Sequence, residues 1–350
     1  MLALGNRLLA QQRIRVLSIP VLFIICILVF FIALSQGGVV ITLRETMLML
    51  TQPVDDQLKY AIIWQIRLPR ILLSMVVGAG LATCGAAMQA LFRNPLADPG
   101  LIGIASGAAL GAVATIVLGT SLFANFSDNL GYYAVPVGAF LSCIAVCMFI
   151  YRLGAQNGRF TIVSLLLAGI AVNAIVNAII GILTLVSNEQ QLRDLTFWSM
   201  GSLAGNHLAM IMPTLGIIIG CCIGLLRLSK PLNVYLLGEA QAKHVGINVT
   251  KLKKQVFIYT ALCTAAAVAI TGVIGFIGLI VPHIMRLILG PDHRYLLPAC
   301  MLGGALMLSL ADLFARTIML PAEVPIGLIT SAIGGPFFLI MLLKTYQGAK

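Results

Sequence analysis

The residues that could do chemistry in this chain are few and far apart. Four histidines, His207, His244, His283 and His293, raise a metal or haem reading, but no two of them stand at a ligand spacing, so they do not form a coordination set. His207 alone lies near the outer end of an apolar run. There it reads either as a hydrogen-bonded structural histidine or as a residue that an incoming ligand meets. Asn173 and Asn177 sit one turn apart in another apolar run, and amides in lipid must find partners across a helix interface or along a hydrated path. Asp312 precedes Arg316 by four residues, the spacing of an internal ion pair on one helical face. Among the motifs that carry reactions, G-x-x-x-x-G-K-[ST] is absent and no Gly-Lys pair occurs, so ATP is not bound here. H-E-x-x-H, paired C-x-x-C and G-x-S-x-G are absent too, which removes metalloprotease, zinc-site and hydrolase chemistry; no catalytic residue is expected.

The elements that must position these residues are membrane spans. Charged residues make up 9% of the 350 and hydrophobic ones 60%, against about 25% charged in an average soluble protein. With a mean hydropathy of +1.04, the apolar excess is more than a soluble interior could bury and must face lipid. The apolar stretches are long and continuous, which excludes disorder and a transmembrane β-barrel. The net charge of +11 is spread thinly between these stretches, so it speaks to orientation and not to a nucleic-acid partner. All eight cysteines (Cys26, Cys84, Cys143, Cys147, Cys221, Cys222, Cys263, Cys300) fall inside apolar runs and read as small packing residues, not as a metal or disulfide framework.

Runs long enough to cross a bilayer predict ten spans, near 17–35, 62–91, 100–119, 133–151, 162–186, 204–228, 255–274, 276–289, 296–316 and 325–343. The first reads as an uncleaved signal-anchor after a cytoplasmic segment, 1–16. An even count places both termini on one side. Cytoplasmic termini leave Arg44, Lys59, Arg67, Arg70, Arg193 and Arg316 outside and the other 16 of the 22 Lys and Arg inside, the arrangement that the positive-inside bias favours. Small residues recur at helical spacing, as in Gly78, Ala82 and Ala86 or Gly103, Gly107 and Gly111, and such stripes let helices pack closely. The largest cytoplasmic loop, 229–254, predicts two short helices: Pro231 opens one, Gly238 interrupts, and Gly246 ends a second over Glu239 to Val245. Arg67, Arg70 and Arg316, cations at outer helix ends, read either as snorkelling anchors or as a docking surface for an acidic partner.

Six stretches then match a family: RLPR at 67–70, GAAMQALFRNPLADPGLIGIASGAALGA at 85–112, WSMGSL at 198–203, LLGEAQAKHVGI at 236–247, GFIGLIVPHIMRLILGPDHRYLLPA at 275–299 and PAEVPIGLITSAIGGPFFLIMLLK at 321–344. In this order they resemble the FecCD-type permeases, the membrane subunits of ABC importers for ferric siderophores, haem and cobalamin. The resemblance implies an all-α, polytopic subunit with the type II importer permease fold, the whole of 1–350 forming one transmembrane domain. It implies a homodimer in the bacterial inner membrane with the path between the copies, two cytoplasmic ATP-binding subunits and a periplasmic substrate-binding protein. ATP is then bound by the partner subunit, no cofactor is held permanently, and the cargo is haem or an iron chelate. RNPLADPG and GPDHR look most like haem permeases, with ferric siderophore or cobalamin as the alternative.

Residue by residue, the resemblance makes Leu237, Gly238, Glu239, Ala240, Lys243 and His244 the contact with the ATPase, with Gly238 and Glu239 at its centre. It makes Arg67, Arg70 and Arg316 the partners of acidic residues on the binding protein. Asn173 and Asn177 would line the path, with Thr161 to Ser164 near the inner gate; His207, by its own place near the outer end of its run, is a further candidate for that path. The competing class is an ion-coupled secondary carrier. The predicted spans offer it no mid-depth acid except Asp312, which already has a partner in Arg316.

Overall fold

Thirty-four residues, Leu2–Ser35, wind as a single helix, α1, so the cationic segment 1–16 continues the first span as helix from residue 2. The computed structural model describes residues 2–51, 56–156, 159–160 and 162–347. After α1, two short helices, α2 (Leu43–Thr51) and α3 (Gln57–Ala61), cap one end of the molecule, and a π-helical turn at Ile62–Arg67 leads into α4 (Leu68–Phe92). Then follow α5 (Ile104–Leu118), α6 (Ala124–Leu130), α7 (Ala134–Gly154), α8 (Ile162–Leu185), α9 (Glu189–Met200) and α10 (Leu208–Arg227). Two short helices, α11 (Ser229–Leu236) and α12 (Glu239–His244), form a knob at the other end before α13 (Val249–Thr271), α14 (Ile277–Leu289), α15 (His293–Ala315) and α16 (Ile326–Gln347). The only strand pairing among the described residues is a hairpin of two residues a side, Ala155–Gln156 against Arg159–Phe160, which turns α7 into α8.

Among the described residues seven helical stretches are long and apolar enough to cross a membrane, and three shorter apolar helices, Ile104–Leu118, Ile277–Leu289 and Ile326–Met341, make ten. Each coincides with a run picked out by apolar length. At the centre stands α4, buried along most of its course. Burial in lipid gives no net drive for helices to associate, so close backbone approach has to supply it. The small residues do this: a Cβ added at Gly78 would lie 2.2 Å from the carbonyl oxygen of Gly304 on α15, and one at Gly85 would lie 1.9 Å from that of Gly278 on α14. The second predicted stripe packs α5 on α7, with Gly111 against the Gly138 backbone and Gly107 against Cys143 and Val146.

α14 is short because it begins partway down the bundle. Gly278, in its first turn, meets Leu81 and Gly85 in the middle of α4, and Pro99 packs against the same glycine. The segment 93–103 therefore folds back to the level of mid-α4 before α5 begins.

Candidate functional site

The knob has an inner and an outer side. Gly238 separates its helices at φ 141°, where a Cβ would meet the Gln241 side chain at 1.8 Å, and Gly246 ends α12 at φ 85°. On the inner side Tyr235 is completely buried. Its ring lies 4.5 Å from the guanidinium carbon of Arg93, which follows α4, and Arg93 Nη2 donates to the Tyr235 carbonyl at 2.8 Å. The Tyr235 hydroxyl is shared between Leu91 O at 3.3 Å and Glu239 Oε1 at 3.2 Å, and Lys253 Nζ donates to the same Glu239 oxygen at 2.6 Å.

A second attachment joins α11 to the start of α15. Asn233 Nδ2 donates to Asp292 Oδ1 at 2.6 Å, while Asn233 Oδ1 accepts the backbone N–H of His293 at 2.8 Å. That fixes the amide orientation and makes His293 Nδ1, 2.9 Å from Asn233 Oδ1, the protonated ring nitrogen. The knob is thus joined to α4, α13 and α15.

Charge and burial follow the same division. Partial burial pushes the Glu239 carboxyl up, but the Lys253 hydrogen bond and charge, with the Tyr235 hydroxyl, outweigh it and leave the group below the usual glutamate range. Burial pushes the Tyr235 phenol up to about 12, so it stays a donor. The hydrogen bonds from Arg294, helped by Asn233, hold Asp292 far below the usual carboxylate range. On the outer side Leu237, Ala240, Lys243 and His244 are exposed, Leu237 at 74%. Of the residues expected to meet an ATPase, these four face away from the bundle. Glu239 bonds inward through Oε1, to Tyr235 and Lys253, while its side chain stays 41% exposed, and Gly238 is the break between the two helices.

At the opposite end the three arginines are largely buried and already bond within the chain. Arg67 is 4% exposed, Arg70 7% and Arg316 5%, all with acceptors inside the chain. Arg67 donates to Leu34 O at 2.7 Å, to Ser35 O at 2.8 Å and to Val39 O. Arg70 Nε donates to Asp312 Oδ1 at 2.8 Å and its Nη1 to both oxygens of Glu323. Arg316 Nη2 donates to Ala33 O at 2.5 Å, with its Nε 3.8 Å from Asp312 Oδ2. The i,i+4 pair expected from Asp312 and Arg316 is present, yet the nearer partner of Asp312 is Arg70, 242 positions away in sequence.

Along α8 the two asparagines part company. Asn173 Oδ1 accepts from Ser106 Oγ of α5 at 2.5 Å and is half-buried; Asn177 is exposed. Ser164 is exposed near the start of the helix, and Thr161 lies outside the described residues. His207 is exposed in the N-cap position of α10, where its side chain makes no capping bond. Sequence reasoning passed over Asp98. The fold-back of 93–103 carries it to mid-α4 level, where Oδ1 accepts the Gly100 N–H at 2.7 Å and the residue lines, with Thr264, a cavity of about 80 Å³.

Ten apolar helices thus pack around α4, with a knob attached on its inner side and exposed on its outer side. Residues 25–344 match the FecCD transport family, and the chain belongs to that family. It is a transport subunit of an ABC importer and not an enzyme. It is 48% identical over 284 residues to the hemin transport system permease protein HmuU of Yersinia pestis, covering 81% of this chain and 83% of that one. To the cobalamin import system permease protein BtuC of Halobacterium salinarum it is 40% identical over 281 residues, 80% of this chain and 73% of the other. A solved inward-facing ABC transporter described as metal-chelate type superposes with a TM-score of 0.81 at 32% identity, over 93% of this chain and 98% of that one.

Proposed function

We propose that two copies of this chain form the translocation path of a haem importer in the bacterial inner membrane, with the knob end and both termini cytoplasmic. Two ATP-binding subunits grip the knobs, and a periplasmic binding protein delivers cargo at the arginine end. The observation that carries this reading is the two-sided knob: exposed Leu237, Ala240, Lys243 and His244 offer a grip, while Tyr235, Asn233 and Glu239 pass any movement to α4, α13 and α15. ATP drives the change of access only through its different affinity for the two states of the ATPase pair, so the permease has to transmit displacement mechanically. The exposed face of α8, with Ser164 and Asn177, supplies a wall of the path, and His207 lies toward its outer mouth. Arg67, Arg70 and Arg316 brace the end on which the binding protein sits.

The 48% identity to a hemin permease over most of the chain supports haem as cargo over cobalamin. The test is ATP hydrolysis by the whole complex in vesicles, with binding protein preloaded with haem, ferric siderophore or cobalamin. Haem is expected to stimulate most. Stimulation by cobalamin alone would overturn the choice of cargo, and uptake driven by an ion gradient with no ATPase subunit present would overturn the class.

A further inference from the structure

Where α1, α14 and α15 meet at the knob end, two guanidinium groups flank one aromatic ring. The guanidinium carbon of Arg15 lies 6.0 Å from the centre of the Tyr295 ring and that of Arg294 lies 5.9 Å from it. Arg15 Nε donates to Leu289 O at 2.7 Å, in the last turn of α14, and this arginine meets no carboxylate among the described residues. Arg294 is paired with Asp292 at 2.7 Å, yet its side chain stays 56% exposed. Among the described residues Arg15 thus has no anionic partner, at the end of a membrane span, and Arg294 is open to a second acceptor.

Next in sequence to Arg15 and to Leu289, Val16 and Leu17 of α1 and Leu287 and Ile288 of α14 are all exposed, each pair on the span side of the helix end. Cations at the water boundary next to an apolar belt fit an amphiphile that is anionic at its head and apolar below. A guanidinium presents paired donors to phosphate oxygens, and basic pockets between spans hold anionic headgroups.

We propose that this corner is a binding site for an anionic phospholipid, its phosphodiester held by Arg15 and Arg294 and its acyl chains lying along Leu287, Ile288, Val16 and Leu17. The site has a line to the knob. Asp292 Oδ1 accepts from Asn233 of α11 as well as from Arg294, so a phosphate that takes a share of Arg294 leaves Asp292 more fully to Asn233 and tightens the attachment of α11. Bound lipid then raises the coupled ATPase activity, a consequence that rests on the knob being the ATPase contact; the lipid site itself does not rest on that reading.

The experiment compares the intact complex with R15Q/R294Q and with R294Q alone, an exposed position whose loss leaves the fold in place. Retention of added phosphatidylglycerol or phosphatidylcholine is read by native mass spectrometry, and ATP hydrolysis is read in vesicles of each lipid. Wild type is expected to retain phosphatidylglycerol selectively, and the double variant to retain it about thirtyfold more weakly, as two cations at a membrane surface would give. R294Q should fall between. Equal retention of the two lipids, equal retention by wild type and R15Q/R294Q, or displacement of the lipid by millimolar inorganic phosphate overturns the site. Selective retention with ATP hydrolysis indifferent to lipid overturns the link to the knob and upholds the site.

Discussion

The two ends of this molecule use the same residue types to opposite ends. At the arginine end Arg70, Asp312, Arg316 and Glu323 close on one another and on the Ala33 carbonyl of α1, so these two guanidiniums are engaged within the chain, while Arg44 and Arg193 stay exposed. At the knob end Glu239, Lys253, Asn233 and Asp292 make similar bonds, but only along one side of two short helices, and the other side stays open. A charge does not announce a partner; what matters is whether its acceptor already lies in the chain. Buried ionic clusters add little net stability compared with apolar packing, whereas removal of one member is costly. The closed end thus fixes how α1, α4 and α15 meet, and the half-open end can hand movement on.

Three substitutions probe this contrast, taken by size of effect on stability. Asp312→Ala removes the carboxylate shared by Arg70 and Arg316 and leaves buried charge uncompensated, for an expected loss of about 3–5 kcal/mol. Thermal unfolding in detergent reads it, and a midpoint equal to wild type would show that the arginine end is not closed. Tyr235→Phe keeps the ring under Arg93 but loses the hydroxyl to Leu91 and Glu239, an expected cost of about 1 kcal/mol with a matching fall in transport-linked ATP hydrolysis. Unimpaired coupling in that variant would cut the proposed line from knob to α4.

The smallest effect belongs to Glu239 and depends on pH. Its folded pKa lies below the unfolded one, so its contribution is whole above the ordinary glutamate range and fades as pH falls through the lowered value. The difference in midpoint between wild type and Glu239→Gln should therefore shrink as pH drops from neutral through and below the ordinary glutamate range. A difference that grows on acidification would mean that Glu239 is not held by Lys253.

Much of the scaffold is legible in the residues. Apolar run length found the seven helices long enough to cross a bilayer and the three shorter apolar ones, and Gly238 and Gly246 marked where the knob breaks. Pairings across the bundle were not legible. Asp312 has a near neighbour in Arg316, and nothing local tells that Arg70, 242 positions away, comes closer. The same limit hid the burial of Arg67, whose acceptors are carbonyls that carry no sequence signature. The bonds of Glu239 Oε1 to Tyr235 and Lys253 were not legible either, since a six-residue helix leaves its facing undecided. Asp98 was missed because a fold-back to mid-depth looks, in one dimension, like an ordinary loop between two spans.

The central claim is that the outer side of the knob is where an ATP-binding subunit grips. All eight cysteines are buried, so Ala240→Cys creates a single exposed thiol among the described residues, and Arg193→Cys does the same on α9 at the other end. Photo-crosslinking from each thiol in the assembled complex tests the claim most directly. A link from position 240 to the ATP-binding subunit, with a yield that changes when ATP is added, is the expected result; no link from 240 while position 193 captures that subunit would contradict it.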